Sequence, residues 1–312
     1  MRSVIFWLST KKAVTSTIAD RGMRYGFARR FVAGESLEEA LAASAALGRE
    51  ARRVSLNFLG ENVSSVEEAR RVRANYIEML RGLNDGAIDG NISIKLTQLG
   101  LDIDRDLCLG LTQEIAAAAS ALKRDIEVDM EGSAYIDGTL DIFQATRRQY
   151  DNVGLAVQAY LYRTEKDIER LAPLHPKLRL VKGAYREPAS IAWQKKSEVD
   201  ANYRRLIDLL IDGRFYPAIA THDPAMQEHA LKRLRERKLQ PEAYEFQMIY
   251  GIRRDLQESI HQGGHPLRIY VPFGTDWCPY FMRRLSERPA NCAFVLRSLV
   301  AESFRPTRNA GA

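Results

Sequence analysis

Short β-rich runs alternate with long helical patterns along the chain from residue 51 onward. The candidate strands share β-branched or aromatic residues and turn signals at their ends, and they are residues 52–59, 91–96, 125–130, 152–160, 177–183, 216–221, 243–249 and 267–273. Clear helical patterns lie between them, as at residues 64–83, 104–124 and 223–237. Regular alternation of strand and helix indicates parallel strands. Eight such units fit an α/β fold of the (βα)8 TIM-barrel type.

The first 50 residues have a helical pattern instead. In "GESLEEALAASAALG", residues 34–48, Ser36 stands three positions before Glu39, which is the signature of a capping box. We therefore predict an N-terminal helical segment, residues 1–50, that packs on a barrel catalytic domain, residues 51–312. A doubly wound open sheet is the structural alternative, although no strand is followed by the GxGxxG motif that such a sheet uses for dinucleotides.

Polar residues recur on one face of several predicted strands. Successive strand residues point to opposite faces, so Ile92 and Ile94 share a face that Lys95 does not. Asp129 and Gln158 occupy the same kind of position near the ends of their strands. One such residue alone could simply form a hydrogen bond or an ion pair inside the barrel. Several together favour a site at the carboxyl ends of the strands, where the active sites of this fold lie.

Composition narrows the class of protein. The 312 residues suffice to bury a large core, and the net charge of +6 favours anionic partners only weakly. No zinc-finger, basic-zipper or RNP pattern is present, which argues against nucleic acid. Three distant cysteines argue against a disulfide framework and fit a reducing cytosol. The apolar run at residues 4–8 is too short for a signal sequence or a membrane span.

Metal binding is not expected. The stretch "HQGGH", residues 261–265, holds two histidines without a carboxylate at ligand spacing, so it is not predicted to be a metal site.

An arginine doublet lies near the end of the chain. Tyr280, Arg283, Arg284 and Glu287 are spaced i, i+3, i+4 and i+7, so they share one face of a predicted helix. One interpretation is a solvated face with an Arg283–Glu287 pair. The other is that both guanidinium groups bind a carboxylate ligand, each through two parallel hydrogen bonds. The pattern alone leaves both open.

Seven blocks of the sequence, in order, resemble the proline dehydrogenase family. They are "SIKLTQLGLDID" (93–104), "IEVDME" (126–131), "AVQAYL" (156–161), "KLRLVKGAYREP" (177–188), "IATHDP" (219–224), "EFQMIYG" (245–251) and "RIYVPFGTDWCPYFMRRLSERPANCAF" (268–294). The RLVKGAY block and the block with the arginine doublet are together highly specific. The length resembles the single-activity bacterial form, not the much longer bifunctional proline utilisation proteins.

The resemblance implies a distorted (βα)8 barrel that holds FAD non-covalently. It implies oxidation of L-proline to 1-pyrroline-5-carboxylate by hydride transfer to flavin N5, the first step of proline catabolism to glutamate. It further implies that electrons pass to a membrane quinone. A cytoplasmic location with peripheral contact at the inner face of the membrane follows, as does possible transient contact with a 1-pyrroline-5-carboxylate dehydrogenase.

The resemblance also assigns site residues. The positions that match substrate-binding residues are Lys95, Tyr270, Tyr280, Arg283 and Arg284, with Glu287 as the ion-pair partner of the doublet. Asp129 and Arg179 match active-site residues, where Arg179 would stabilise a reduced flavin and Asp129 would orient or deprotonate the substrate amine. The FAD positions are Met130, Gln158, Lys182, Gly183, Ala184, Thr221 and His222, with Gln247 as a further candidate. Gln158 is expected to donate a hydrogen bond to the flavin edge.

One departure from the family and two alternatives remain. Residues 288–289, Arg-Pro, follow Glu287 where the family more often has a small residue, and a proline there should end or kink the helix. Hydroxyproline or another cyclic amino acid could use the same carboxylate clamp, with Tyr270 and Tyr280 deciding between substrates. A non-catalytic barrel is disfavoured because every matched catalytic residue type is present.

Overall fold

Eight parallel strands close into a barrel in chain order. The computed structural model describes residues 28–60, 62–213, 215–278 and 280. The strands are β1 (Arg53–Phe58), β2 (Gly90–Ile94), β3 (Ile126–Val128), β4 (Val153–Gln158), β5 (Lys177–Val181), β6 (Tyr216–Ala220), β7 (Glu245–Ile249) and β8 (Leu267–Phe273). β1 pairs with β8 along all of Arg53–Phe58, which closes the sheet. The predicted (βα)8 barrel is confirmed, and the open-sheet alternative is wrong.

Helices connect successive strands on the outside of the barrel. Within the described residues the α-helices are α1 (Leu37–Arg49), α2 (Val66–Asp85), α3 (Arg105–Ala121), α4 (Ile136–Arg147), α5 (Thr164–Leu171), α6 (Lys196–Asp212), α7 (Pro224–Glu236) and α8 (Arg254–Gln262). α1 precedes the barrel, and α2 to α8 each join one strand to the next. The predicted helices at residues 64–83, 104–124 and 223–237 correspond to α2, α3 and α7.

Polar side chains begin the predicted helices. The Ser65 hydroxyl accepts the Glu68 amide at 3.2 Å, and the Asp104 carboxylate accepts the Asp106 amide at 2.8 Å. The predicted capping box of Ser36 and Glu39 is present at the start of α1. Each cap satisfies amides that have no partner within the helix, which fixes where the helix starts.

The N-terminal segment is described only in part. α1 packs against β1 and β8, and the Ala33 amide donates to the Pro272 carbonyl at 2.8 Å. Residues 1–27 of the predicted segment lie outside the described residues, and the predicted domain boundary at residue 50 stays a prediction.

The barrel has an apolar outside and a polar inside. Strand residues such as Leu56, Ile94 and Val128 are fully buried between the sheet and the helices. The alternate residues point inward, and most are polar: Ser55, Asn57, Asn91, Ser93, Glu127, Arg179, Glu245, Gln247 and Arg268 are all buried. This arrangement places charged groups throughout the barrel interior, up to the carboxyl ends of the strands.

Membrane-spanning helices are not found in the described part of the chain. None of its helices combines the length and the apolar character that crossing a bilayer requires.

Candidate active site

Three predicted residues meet on the carboxylate of Asp129. Asp129 follows β3 directly, and its amide donates to the Ile94 carbonyl of β2 at 2.9 Å. Its Oδ2 atom accepts from Lys95 Nζ at 3.2 Å and from the Tyr270 hydroxyl at 2.8 Å, while Oδ1 accepts from Arg179 Nη1. The structure thus brings together side chains from four segments of the barrel: Arg179 and Tyr270 within β5 and β8, and Lys95 and Asp129 directly after β2 and β3.

Arg179 is fixed by contacts on every side of its guanidinium group. Nε donates to Gln247 Oε1 at 2.6 Å, and Nη2 donates to Ser93 Oγ at 2.7 Å and to the Glu127 carboxylate. The guanidinium carbon also lies 5.2 Å from the centroid of the Tyr270 ring. Burial lowers the pKa of Arg179 to about 10, so the group stays a cation at neutral pH.

Two tyrosines support the same cluster. Burial, followed by the nearby Asp129 carboxylate, raises the pKa of Tyr270 well above its usual range, so the phenol keeps its proton and donates it to Asp129. On the outer side, the Tyr76 hydroxyl of α2 accepts the Lys95 amide at 3.2 Å and donates to Gln98. Tyr76 therefore positions the backbone that carries Lys95, a role that the sequence did not suggest.

A buried ion network lies beneath the cluster. Lys177 Nζ lies 3.0 Å from a Glu127 oxygen and 2.7 Å from a Glu245 oxygen, and Arg268 donates to Glu245 at 2.9 Å. Burial, then the charge of Arg268, lowers the pKa of Lys177 to about 8. Burial opposes ionisation of Glu245, but Arg268 and Lys177 together hold its pKa well below the usual range. The Glu245 carboxylate thus binds both Lys177 and Arg268, whose like charges repel each other.

Gln158 presents a hydrogen-bond acceptor, not the donor expected from the sequence. Its Nε2 donates to the carbonyls of Met130 at 3.2 Å and Glu131 at 3.3 Å. Turning the amide over would place its oxygen against these two carbonyls, so the orientation is set. Oε1 is buried and has no hydrogen-bond partner among the described residues. The Gln158 atom that remains for a hydrogen bond to a ligand is therefore Oε1, an acceptor.

The predicted FAD residues after β5 form a glycine turn beside an ion cluster. Gly183 has φ of +113°, and a Cβ there would overlap the Tyr160 ring, so a side chain is excluded. Lys182 Nζ donates to Asp223 at 2.8 Å and to Asp200. Lys196 joins the same two carboxylates, so Lys182 belongs to a cluster of two cations and two anions. Ala184, the third predicted residue, is exposed.

The remaining predicted FAD residues lie at the ends of β6 and β7. Thr221 Oγ1 accepts the Asp223 amide at 3.1 Å. His222 Nε2 accepts the Ile249 amide at 2.9 Å, which links the ends of the two strands and places the ring proton of a neutral imidazole on Nδ1. Both ends of the Gln247 amide are engaged in the buried network, so a cofactor contact by Gln247 stays a prediction.

The predicted arginine doublet follows the described part of the chain. Arg283, Arg284 and Glu287, with the proline that follows at residue 289, lie outside the described residues, and their roles stay predictions. Tyr280 is described and is buried, with 7% of its surface exposed.

The family of the chain follows from its match to known proteins. The family model described as proline dehydrogenase matches residues 40–297. The chain belongs to the proline dehydrogenase family. It is 37% identical over 300 residues to proline dehydrogenase 1 of Bacillus subtilis subsp. natto, covering 96% of this chain and 99% of that protein. It is 37% identical over 285 residues to the proline dehydrogenase of Deinococcus radiodurans, covering 90% and 92%. Proline dehydrogenases are oxidoreductases, and the predicted enzyme class is confirmed.

Proline dehydrogenases also occur within larger proteins that match this chain. The bifunctional protein PutA of Escherichia coli is 28% identical over 332 residues, which cover 92% of this chain and 25% of that protein. The crystal structure of proline utilization A from Bdellovibrio bacteriovorus, inactivated by N-propargylglycine, superposes with a TM-score of 0.78 at 24% identity. It covers 83% of this chain, which spans only 32% of that structure, and this likeness supports the barrel fold.

Proposed function

We propose that this proline dehydrogenase oxidises L-proline to 1-pyrroline-5-carboxylate with FAD as its cofactor. The observation that carries the proposal is the meeting of Lys95, Arg179 and Tyr270 on Asp129 at the carboxyl ends of the strands. These groups bring two buried cations to one place, where Lys95 would bind an amino acid carboxylate beside the fixed guanidinium group of Arg179. Family membership supplies the substrate class.

The residues present fit a flavin. Gln158 Oε1 is a buried acceptor without a partner among the described residues, as a site for a ring N–H requires. Gly183 leaves the strand in a conformation that favours glycine and lets the chain turn closely past Tyr160. The residues that would hold the cofactor are Met130, Gln158, Lys182, Gly183, Ala184, Thr221 and His222. Bound flavin supplies a two-electron acceptor for the hydride.

Arg179 is the residue best suited to stabilise negative charge next to the cofactor. It is buried, stays charged at neutral pH and cannot rotate away, because four side chains hold its guanidinium group. A preorganised cation of this kind stabilises charge as it develops, without rearrangement during the reaction.

Asp129 orients its neighbours. Its two carboxylate oxygens already accept from three donors, on Lys95, Arg179 and Tyr270. We therefore assign Asp129 to holding Lys95 and Tyr270 in place, with the substrate carboxylate on Lys95. The proposed contribution of Arg283 and Arg284 is to complete the carboxylate clamp from the last helix.

The wider roles rest on family membership. The proposal places the reaction first in proline catabolism to glutamate, with a membrane quinone as electron acceptor. It places the protein in the cytoplasm with peripheral membrane contact, and it includes transient contact with a 1-pyrroline-5-carboxylate dehydrogenase. Proline-dependent reduction of a short-chain quinone, and cosedimentation with anionic vesicles, would test the acceptor and the membrane contact.

The anaerobic visible spectrum of the purified protein tests the central proposal. A flavin band that bleaches with L-proline, and that D-proline and trans-4-hydroxy-L-proline leave unchanged, is the expected result. Bleaching by hydroxyproline alone would reassign the substrate. The absence of a flavin band after reconstitution with FAD would overturn the proposed cofactor.

A further inference from the structure

Asn57 carries a buried side-chain amide near the carboxyl end of β1. It is the next-to-last residue of β1, and only 1% of its surface is exposed. Val54 and Leu56 face the outer core, so Asn57 faces inward. Neither Nδ2 nor Oδ1 has a hydrogen-bond partner among the described residues.

The neighbouring strands show at which level the amide lies. Asn57 pairs in register with Ser93 of β2, and Lys95 lies two residues further along that strand. Ser93 Oγ also lies 3.1 Å from Ser55 Oγ, one inward-facing position before Asn57, so the Asn57 side chain lies between the levels of Ser93 and Lys95. β8 flanks β1 on the other side. Asn57 thus stands on the strand between those that carry Lys95 and Tyr270.

A buried amide with neither atom bonded is unfavourable unless something supplies the missing partners. The carboxylate of Asp129 already accepts from Lys95, Arg179 and Tyr270. The other unpartnered side-chain acceptor described above, Gln158 Oε1, lies on β4, away from β1. Asn57 Oδ1 is an acceptor without a partner among the described residues, on the strand next to the one that carries Lys95.

We propose that Asn57 is a substrate-binding residue whose Oδ1 accepts a hydrogen bond from the ring N–H of the cyclic amino acid. The inference rests on the proposed function, since it assigns an acceptor to the amine whose carboxylate binds at Lys95. If the adjacent C–H bond were broken with loss of hydride to a bound flavin, the nitrogen lone pair would form the C=N bond. The N–H then carries positive charge, so the hydrogen bond strengthens before the proton is released to water.

A comparison of two ligands distinguishes binding of the ring N–H from binding of the carboxylate. L-Proline has the ring N–H, whereas cyclopentanecarboxylate has a methylene group in its place and the same carboxylate. In the FAD-loaded protein we expect Asn57→Leu and Asn57→Ala to lower kcat/KM for L-proline by about 10- to 100-fold. The inhibition constant of cyclopentanecarboxylate should stay within about twofold, because that ligand never used the amide. Asn57→Asp keeps an oxygen and should retain most of the activity.

Asn91 gives a matched control. It is equally buried, and its amide likewise has no partner among the described residues, but it lines a cavity of about 480 Å³ at the opposite end of the barrel. Asn91→Leu should leave kcat/KM unchanged. Equal weakening of both ligands by Asn57→Leu would overturn the inference, as would unchanged proline kinetics in both Asn57 variants. Failure of wild-type protein to oxidise L-proline would instead reject the proposed function.

Discussion

At the scale of single residues, the site depends on the shape of Arg179 as much as on its charge. The guanidinium group satisfies Gln247, Ser93 and two carboxylates at once through separate N–H groups. A lysine has the charge but not the planar fork, so it could not meet all four partners in their present positions. Buried acceptors that lose a partner cost about 1–3 kcal/mol each.

Arg179→Lys should therefore lower kcat/KM for L-proline by about 100-fold or more, although the positive charge is kept. Steady-state kinetics with FAD-saturated protein measure the loss, and circular dichroism checks the fold. Arg237→Lys is the control, because Arg237 is an exposed residue that pairs with Asp212 at 2.7 Å. Wild-type kinetics in Arg179→Lys would show that charge alone suffices there.

The direction of a single side chain was predictable from the sequence where a local pattern, such as the alternation along a strand, determines it. Asp129 was predicted to face inward from alternation, and it does, although regular pairing of β3 ends at Val128. Tyr76 was not predicted, because it lies on α2 among buried Met79, Leu80 and Leu83 and looks like any core position. Gln247 contacts Glu127, which is 120 residues away, and no local pattern encodes such a pairing.

At the scale of secondary-structure elements, the cap of one helix affects both the stability of the fold and the position of a residue at the site. α2 carries Tyr76, and the start of α2 is fixed by the Ser65 hydroxyl on the Glu68 amide. Cap positions were predictable from the sequence, because a serine followed three residues later by glutamate is the signature of a capping box. The ends of β-strands were less well predicted, because a pattern of alternating residues continues past the last hydrogen-bonded pair.

Ser65→Ala should lower the free energy of unfolding by about 1 kcal/mol, since the Glu68 amide loses its acceptor. Urea unfolding followed by circular dichroism measures this difference. Ser65→Asp retains a capping oxygen and should unfold near the wild-type midpoint. The prediction fails if Ala and Asp variants are equally destabilised, because the hydroxyl would then act in some way other than capping.

At the scale of the whole molecule, the barrel holds a buried network in which charges of both signs are matched. The cations are Lys95, Lys177, Arg179 and Arg268, and the carboxylates are Glu127, Asp129 and Glu245 with Glu131 just beyond the strand ends, where it accepts from Thr97. The described side chains therefore balance in charge. The proposed role of the arginine doublet is to add the positive charge that a bound amino acid carboxylate needs.

The network also predicts how stability depends on pH. The pKa of Lys177 is lowered from the ordinary lysine value of 10.5 to about 8, so between these values the unfolded chain binds more protons than the folded one. Stability should therefore rise with pH across this interval. The gain from this one group is at most about 3 kcal/mol.

The comparison of wild type with Lys177→Met isolates this contribution. The difference in unfolding free energy between the two proteins should shift in favour of the wild type from pH 7.5 to pH 10, as measured by urea unfolding. Lys166→Met, at an exposed position of α5, is the control and should show a constant difference. A constant difference for Lys177→Met would mean that Lys177 titrates normally in the folded protein.

The closure of the sheet by β1 and β8 has a consequence for synthesis on the ribosome. When β1 to β4 have emerged, Lys95 can already pair with Asp129, whereas Lys177, Arg179 and Gln247, the partners of Glu127, have not emerged from the ribosome. A half-barrel would have to bury Glu127 without its cations, which is strongly unfavourable. The chain must therefore wait for β5 and β7 before its centre can close, and its nascent halves depend on water, or on a chaperone, until then.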